Sequence, residues 1–396
     1  MFDYKRGKDV RYLIMRVWPF WIDGIKYHDQ YLAEFMEDDG VSTVFACPNY
    51  RTSNYLSFAK SKENSKFKNN YNLLFLKHFS FLGKPLPFQL VKFSRQIRSL
   101  NPDVIHIFGI SNFTSIFALI AARLAFFKGK IIFNDHSDPN ERKNGFVANL
   151  YYLLFLIVYR LLIRDKYSVI VPDISARNEL MRRYGASIKN VIKIISLGYD
   201  DRKFYSRDKM RKTELPLIVG FAGKIFPEKR LEILVNAILK FNVCDVELRI
   251  AGLNLNSPSK YQSSLVKLIE STGRNNITIS KFITSPEELA LFYSSLDVAI
   301  FPGSISITTF EANGCGCPII LYKSYDGLEH RVSSLRGRLF GTPQQLECHI
   351  NEYIELKRKL EIDHVGIEIE SKKFGWSRLK ADYYKEYAFN FEKQEN

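Results

Sequence analysis

Along nearly the whole chain, short runs of apolar and β-branched residues alternate with segments whose apolar positions recur every three to four residues. The first strand-like runs are RYLIMRVW, VSTVFAC, DVIHIFG, KIIFNDH, YSVIVPD and VIKIIS. A second series follows: LPLIVGFAG, VELRIAG, NITISKF, DVAIFPG and CPIILYK. Between them, YHDQYLAEFMED, FTSIFALIAARLAFF, KRLEILVNAILKF and SPEELALFYSSL carry the helical period. A strand covered on both faces has no polar side, so near-continuous apolar runs separated by amphipathic helices predict parallel sheets between helical layers. The series appears twice. The pattern therefore predicts an α/β protein of two Rossmann-like, doubly wound domains.

Three segments break the pattern. The polar stretch Asp200 to Pro216 separates the two series and is the expected hinge. Residues Arg51 to Asn72, rich in Lys, Asn and Ser, show no period and read as a surface loop. The most apolar stretch, Phe146 to Arg164, contains Asn149 and Arg160, and its uninterrupted apolar run is ten residues, Leu150 to Tyr159. A spanning helix needs about 20. A buried helix is expected there, with an interfacial helix as the alternative. The opening MFDYKRGKDVRYLIM lacks a long apolar run and a small-residue cleavage site, so no signal peptide is expected.

A chain of 396 residues exceeds one ordinary hydrophobic core, which agrees with two domains. With 46% hydrophobic and 25% charged residues, wholly disordered and collagen-like classes are excluded. The cysteines (Cys47, Cys244, Cys315, Cys317 and Cys348) are scattered, so a reducing cytoplasm is expected rather than a disulfide framework. Cys315 and Cys317 form a C-x-C without companion ligands, and no metal site is expected. Charge changes the picture more. The net charge is +15, and it is lopsided: residues 1–200 hold 29 Lys and Arg against 17 Asp and Glu, residues 201–396 only 28 against 25. A basic first half in a chain that is 14% aromatic points to an anionic partner there, nucleic acid or membrane lipid.

In doubly wound sheets, ligands bind outside the carboxyl ends of the strands, so chemistry is sought in those loops. Gly24 lies where the first strand turns into a helix, in WPFWIDGIKYHDQ, and suits close approach of a phosphate. The fourth strand ends at Asn134, Asp135, His136 and Ser137, which makes His136 the candidate contact to a reacting group. His106, inside DVIHIFG, reads as a packed histidine. In LIVGFAGKIFPEKR a strand runs into Gly220 and Gly223, then Lys224 and Lys229 at a helix start. The spacing is neither a Walker loop nor a dinucleotide fingerprint. Two lysines beside flexible backbone are suited to a diphosphate. In AIFPGSISITTFEANGCGCPIIL, the small residues Gly303, Ser304, Ser306, Thr308 and Thr309 precede a short helix carrying Glu311. Hydroxyls and N–H groups at a helix start form an anion pocket, to which the helix dipole adds about 0.3–1 kcal/mol. Glu311 is placed to accept hydrogen bonds from vicinal hydroxyls such as a ribose pair.

Taken in order, these segments resemble glycosyltransferase family 4, the group 1 transferases, of the bacterial surface-polysaccharide type. PDVIHIFG followed by FNDH looks like the family's N-domain strands, and IISLGYDDRKF like its interdomain segment. GFAGKIFPEKR resembles its basic loop, and PEELALFYSSLDVAIFPGS followed by FEANGCGCPII its donor-site helix. FGWSRLKADYYKEY is similar to the terminal helix that returns to the first domain. The resemblance implies a GT-B arrangement: an acceptor-side domain over 1–200, a nucleotide-sugar domain over 201–375, and a terminal helix over 376–396.

It also implies roles. Lys224 and Lys229 correspond to the basic pair on the donor diphosphate, Glu311 to the ribose-binding glutamate, and Ser304 to Thr309, with Gly223, to the phosphate cradle. Gly24 corresponds to the N-domain glycine loop and His136 to a histidine near the transferred sugar. The chain departs from the family where Lys224 replaces the usual Arg, where the loop from Pro302 to Glu311 is short, and where Gly303, eight residues before Glu311, replaces the family's first glutamate. The implied reaction is retaining transfer from a nucleotide-diphosphate sugar, the only co-substrate, to a glycan or lipid-linked acceptor. No Asp-x-Asp motif occurs, and neither metal nor separate cofactor is expected. A nucleotide-sugar epimerase or a non-catalytic membrane-associated relative are the alternatives. Nucleic acid is not an expected partner, since no recognised module accompanies the charge. The basic first half is instead expected to dock peripherally on an anionic cytoplasmic leaflet.

Overall fold

The computed structural model describes residues 11–16, 28–48, 72–81, 84–110, 113–136, 150, 152–153, 155–158, 161, 167–207, 214, 216–255, 258–324 and 327–387. They divide into two compact units, residues 1–196 with 379–396, and residues 197–378. The expected boundaries fell after residues 200 and 375.

In the first unit, β1 (Arg11–Arg16), α1 (His28–Asp38), β2 (Ser42–Pro48) and β3 (Asn72–Leu76) are followed by a hairpin of β4 (His78–Phe81) and β5 (Lys84–Pro87). Then come α2 (Leu90–Leu100), β6 (Val104–Phe108), α3 (Phe113–Leu124), β7 (Lys130–Asn134), β8 (Tyr167–Val171), α4 (Ile174–Tyr184) and β9 (Ile192–Ile194). Seven strands form one sheet in the order β3-β2-β1-β6-β7-β8-β9, every neighbour parallel. Alternation sorts the side chains. Leu13, Met15, Ile105, Ile107 and Phe133 form one core with Phe93, Ile97 and Phe117 from α2 and α3. Tyr12, His106 and Phe108, the intervening positions, are buried on the opposite face.

The second unit runs β10 (Leu217–Ala222), α5 (Leu231–Ile238), β11 (Val246–Leu253), α6 (Lys260–Ser271), β12 (Ile277–Lys281) and α7 (Pro286–Ser294). It continues with β13 (Val298–Phe301), α8 (Thr308–Gly314), β14 (Ile319–Tyr322), β15 (Gly337–Phe340), α9 (Pro343–Arg358) and α10 (His364–Ser371). Its parallel sheet has the order β12-β11-β10-β13-β14-β15. Strand order reverses between β10 and β13. In doubly wound sheets ligands bind outside the carboxyl ends of the strands at such a switch point, which here carries the loops 223–230 and 302–307.

The last described helix, α11 (Trp376–Tyr387), enters the first unit from residue 379 onward. Lys380 Nζ lies 2.7 Å from Asp39 Oδ2, and Tyr384 donates to the same oxygen at 2.6 Å. Tyr387 and Tyr12 share a hydrogen bond of 2.8 Å over the sheet.

The doubly wound expectation holds for both units. The buried-helix expectation for Phe146–Arg164 holds only for one side of its described residues, where Tyr152 and Leu156 pack with Phe155 against the core. Phe155 is buried, yet Leu150, Leu153, Ile157 and Leu161 are exposed, leaving an apolar stripe at positions i, i+3, i+7 and i+11 in solvent. No helix among the described residues is long and apolar enough to cross a membrane.

Candidate functional site

Both loops at the switch point of the second unit carry predicted residues, and they touch. β10 ends at Ala222, and Gly223 takes a φ of +152°, a region that L side chains rarely enter. Lys224 follows, and a turn of 3₁₀ helix, Pro227–Lys229, leads to α5. From the other side, the Ser304 N–H donates to the Glu228 carbonyl at 2.7 Å. Lys229 Nζ donates to the Ser304 carbonyl at 2.6 Å. The approach is backbone to backbone: a Cβ on Gly303 would stand 2.1 Å from the Glu228 carbonyl oxygen. A glutamate at Gly303 is thus sterically impossible with the loops in this arrangement, which gives the departure from the family pattern a physical cause.

Electrostatics mark the same place. Burial lowers the Lys224 pKa. Burial, with Lys224 pushing in the same direction and Glu228 in the other, brings Lys229 down to about 8. Two desolvated ammonium groups that repel each other beside one loop are stabilised by an arriving anion.

The hydroxyl residues divide in two. Ser306 and Thr308 share a hydrogen bond of 2.6 Å and are half-buried. Thr309 is fully buried, its hydroxyl donating to the Ser306 carbonyl at 3.0 Å and accepting from Arg331 Nη1 at 3.0 Å. It holds the loop from within. The N–H groups of Thr309, Phe310 and Glu311 donate to the Ser306 and Ile307 carbonyls, so these are not the open anion donors expected at the start of α8.

Glu311 is buried, and desolvation followed by the nearby Asp200 raises its pKa to about 8. At neutral pH its carboxyl is mostly protonated, able to donate one hydrogen bond and accept others.

Two residues of this site had no signal in the sequence. Tyr293 of α7 is fully buried, and its hydroxyl donates to the Ala222 carbonyl at 3.4 Å. It also hydrogen-bonds Thr308, tying the end of β10 to α8, and feels the charge of Glu311. Arg331 lies buried with its guanidinium 4.6 Å over the Phe310 ring while it holds Thr309.

His136 belongs to the first unit. It is exposed just beyond β7, with the His28 ring edge-on at 5.0 Å. His28 is itself buried and hydrogen-bonded to the Tyr383 hydroxyl at 2.9 Å. Burial first, then His136 and His106, hold its pKa well below the ordinary value, so the ring is neutral. His106 is enclosed between Tyr12 and Tyr387, as a packed histidine should be. Gly24 lies outside the described residues.

Comparison with solved structures agrees with this fold. The Anabaena protein HepE, solved with UDP, is similar with a TM-score of 0.70 at 14% identity, covering 96% of this chain and 100% of that one. Sucrose-phosphate synthase from Thermosynechococcus elongatus reaches 0.66 at 14% identity over 96% and 98%. The lipopolysaccharide outer core galactosyltransferase WaaB reaches 0.66 at 13% identity over 95% and 98%. No curated protein matches the chain by sequence. Two family models match adjoining stretches, Glycosyltransferase Family 4 over residues 22–203 and Glycosyl transferases group 1 over residues 203–363. Together they span residues 22–363, ending after α9 of the second unit, and the chain is a glycosyltransferase of the group 1 family.

Proposed function

We propose that the protein moves a sugar from a nucleotide-diphosphate sugar to a hydroxyl of a glycan or lipid-linked acceptor, in the building of a cell-surface polysaccharide. Transfer proceeds with retention of configuration, and with neither a metal nor a cofactor beside the donor. The observation that carries this is the pair Lys224 and Lys229, desolvated and mutually repelling at the switch point.

As the glycosidic bond breaks, negative charge gathers on the departing diphosphate. Fixed cations in a poorly solvated site stabilise that charge more than they stabilise the bound donor, which lowers the barrier. Glu311 meets the nucleoside ribose, and the Ser306 and Thr308 hydroxyls meet the phosphates. His136, in the acceptor-side unit, contacts the sugar being transferred. Catalysis is cytoplasmic, with the basic first unit docked on the inner, anionic leaflet.

HepE is solved with UDP-glucose, which makes UDP the first nucleotide to test. Thermal unfolding in the presence of UDP-, GDP- and ADP-sugars tests the reading. A true donor at 100 times its Kd adds about 2.7 kcal/mol of stability. Lys229→Ala and Glu311→Ala are both expected to lose transfer while remaining folded, and Glu311→Ala to lose the donor's stabilisation as well. Wild-type turnover in either variant overturns the site.

A further inference from the structure

We infer that the outer face of α2, continued by the turn that follows α3, is the surface that docks on an anionic lipid leaflet. This deepens the docking proposed above and rests on it.

The charge surplus of the first half is concentrated. Between Glu63 and Asp135 the sequence contains ten basic residues and a single acidic one, Asp103. Asp103 is engaged at the start of β1, where its carboxylate accepts the Arg11 N–H at 3.0 Å. The α2 helix buries Phe93 and Ile97, with Phe93 stacked on Phe117 of α3 at 5.6 Å. Its opposite face is not needed for that core, yet it is not simply polar. Val91, Arg95 and Arg98 stand at i, i+4 and i+7, a single line along the helix, Phe88 lies two residues before its start, and all four are exposed.

The line continues onto the next element. The Arg98 guanidinium lies 5.3 Å over the Phe126 ring and donates to the Leu124 carbonyl at 3.1 Å. Phe126 is 76% exposed at a φ of +56°, a conformation unfavourable for a bulky residue. The backbone thus presents an aromatic ring to solvent at a local cost, beside Arg98 and Lys128. Large apolar side chains interleaved with cations, without a carboxylate among them, match an interface where rings enter the headgroup layer and cations meet lipid phosphates. An acidic protein surface would match the cations but leave Phe88, Val91 and Phe126 without a role.

Sedimentation of the full chain with vesicles tests this, comparing pure phosphatidylcholine with a mixture containing phosphatidylglycerol, at low salt. The expected result is binding to the anionic vesicles alone. Arg95→Gln with Arg98→Gln should weaken it roughly 25-fold, at about fivefold per cation near the surface. Phe126→Asn is the sharper variant, because Asn suits a positive φ. It should lose lipid binding while its thermal stability holds or rises, which a structural role for the ring would not allow. If the wild type binds and both variants bind equally, this surface is wrong and leaflet docking stands. If the wild type ignores anionic vesicles yet is still stabilised by a sugar nucleotide, docking and this surface fall together and donor chemistry stands. Equal capture by soluble polyglutamate, unchanged in Phe126→Asn, would overturn the lipid assignment.

Discussion

Gly303 and Glu228 touch through their backbones: a Cβ at residue 303 would sit 2.1 Å from the Glu228 carbonyl oxygen and 2.8 Å from the Lys229 Cα. These neighbours are main chain and cannot rotate away. Gly303→Ala must therefore part the two loops, stretching the bond from Lys229 Nζ to the Ser304 carbonyl. Overpacking of this kind costs about 1–3 kcal/mol. The variant should unfold at a lower temperature and bind donor at least roughly tenfold more weakly, since each 1.4 kcal/mol of misplacement is tenfold. Gly303→Glu, although it restores the family's residue, should be worse than Gly303→Ala. Improved transfer in Gly303→Glu, read by product formation, would show that the loops are freer to separate than their contact implies.

Lys229 is expected to act mainly in the transition state. Loss of one preorganised donor to a developing anion typically costs about 10²–10³ in kcat. Lys229→Met should fall in that range, with a smaller change in donor KM, while Lys224→Met should be milder because its neighbour remains. Steady-state kinetics separate the two. An effect confined to KM would make Lys229 a binding residue only.

Glu311 gives stability a pH dependence whose sign is fixed. Its folded pKa of about 8 lies above its ordinary 4.5, so the folded protein holds a proton that the unfolded chain has released. That contribution is complete below about 4.5 and fades as pH rises toward 8, by an amount on the order of a few kcal/mol. Glu311→Gln should flatten this decline. The lowered Lys229 pKa acts in a separate window, adding stability as pH rises from about 8 toward 10.5. Urea unfolding at pH 5.5, 7 and 8.5 distinguishes them. Parallel stability curves for wild type and Glu311→Gln would mean the carboxyl is not desolvated as placed.

The interior strands were legible because both faces of each are covered, leaving near-continuous apolar runs such as DVIHIFG and LPLIVGFAG. The strands that escaped notice are β3 and β15, at sheet edges, and the hairpin β4–β5. An edge strand such as Gly337–Phe340 carries Arg338 and needs no continuous apolar run. The site was legible in the same uneven way. Lysines and hydroxyls in strand-end loops announce themselves by type and place. Arg331 and Tyr293 do not, since a lone arginine reads as surface and a lone tyrosine as core until the contact with Thr309 or Ala222 is seen. Thr309 shows the reverse error: hydroxyl chemistry in the right loop, spent on holding that loop.

Arg331 should therefore behave as a positioning residue for the 304–309 loop. It spans the Phe310 ring and the Thr309 hydroxyl from a buried position. Lysine keeps the charge but lacks the planar fork that serves both contacts. Arg331→Lys should lose about 1–2 kcal/mol of stability, from the ring contact and one charged hydrogen bond. Donor affinity should fall with it, and kcat at saturating donor should stay near wild type. A fall in kcat equal to that of Lys229→Met would instead place Arg331 on the reacting phosphates.

The final residue pair lies in the first unit, where Tyr383 of α11 reaches His28, and His28 meets the exposed His136 edge-on. His28 remains neutral because burial opposes its protonation, so its Nε2 bond to Tyr383 fixes the ring rather than carrying charge. A fixed, uncharged ring can hold the orientation of His136 without competing for protons. Tyr383→Phe removes the hydroxyl's hydrogen bonds to His28 and Asn134, at about 1 kcal/mol each, and leaves the aromatic packing intact. Its turnover should fall several-fold with donor affinity unchanged, because the proposed donor groups, Lys224, Lys229 and Glu311, belong to the other unit. His136→Ala should cost more in kcat, and Tyr383→Phe added to it should cost nothing further. If the double variant is slower than His136→Ala by the full factor seen for Tyr383→Phe alone, the two residues act independently and His28 does not connect them.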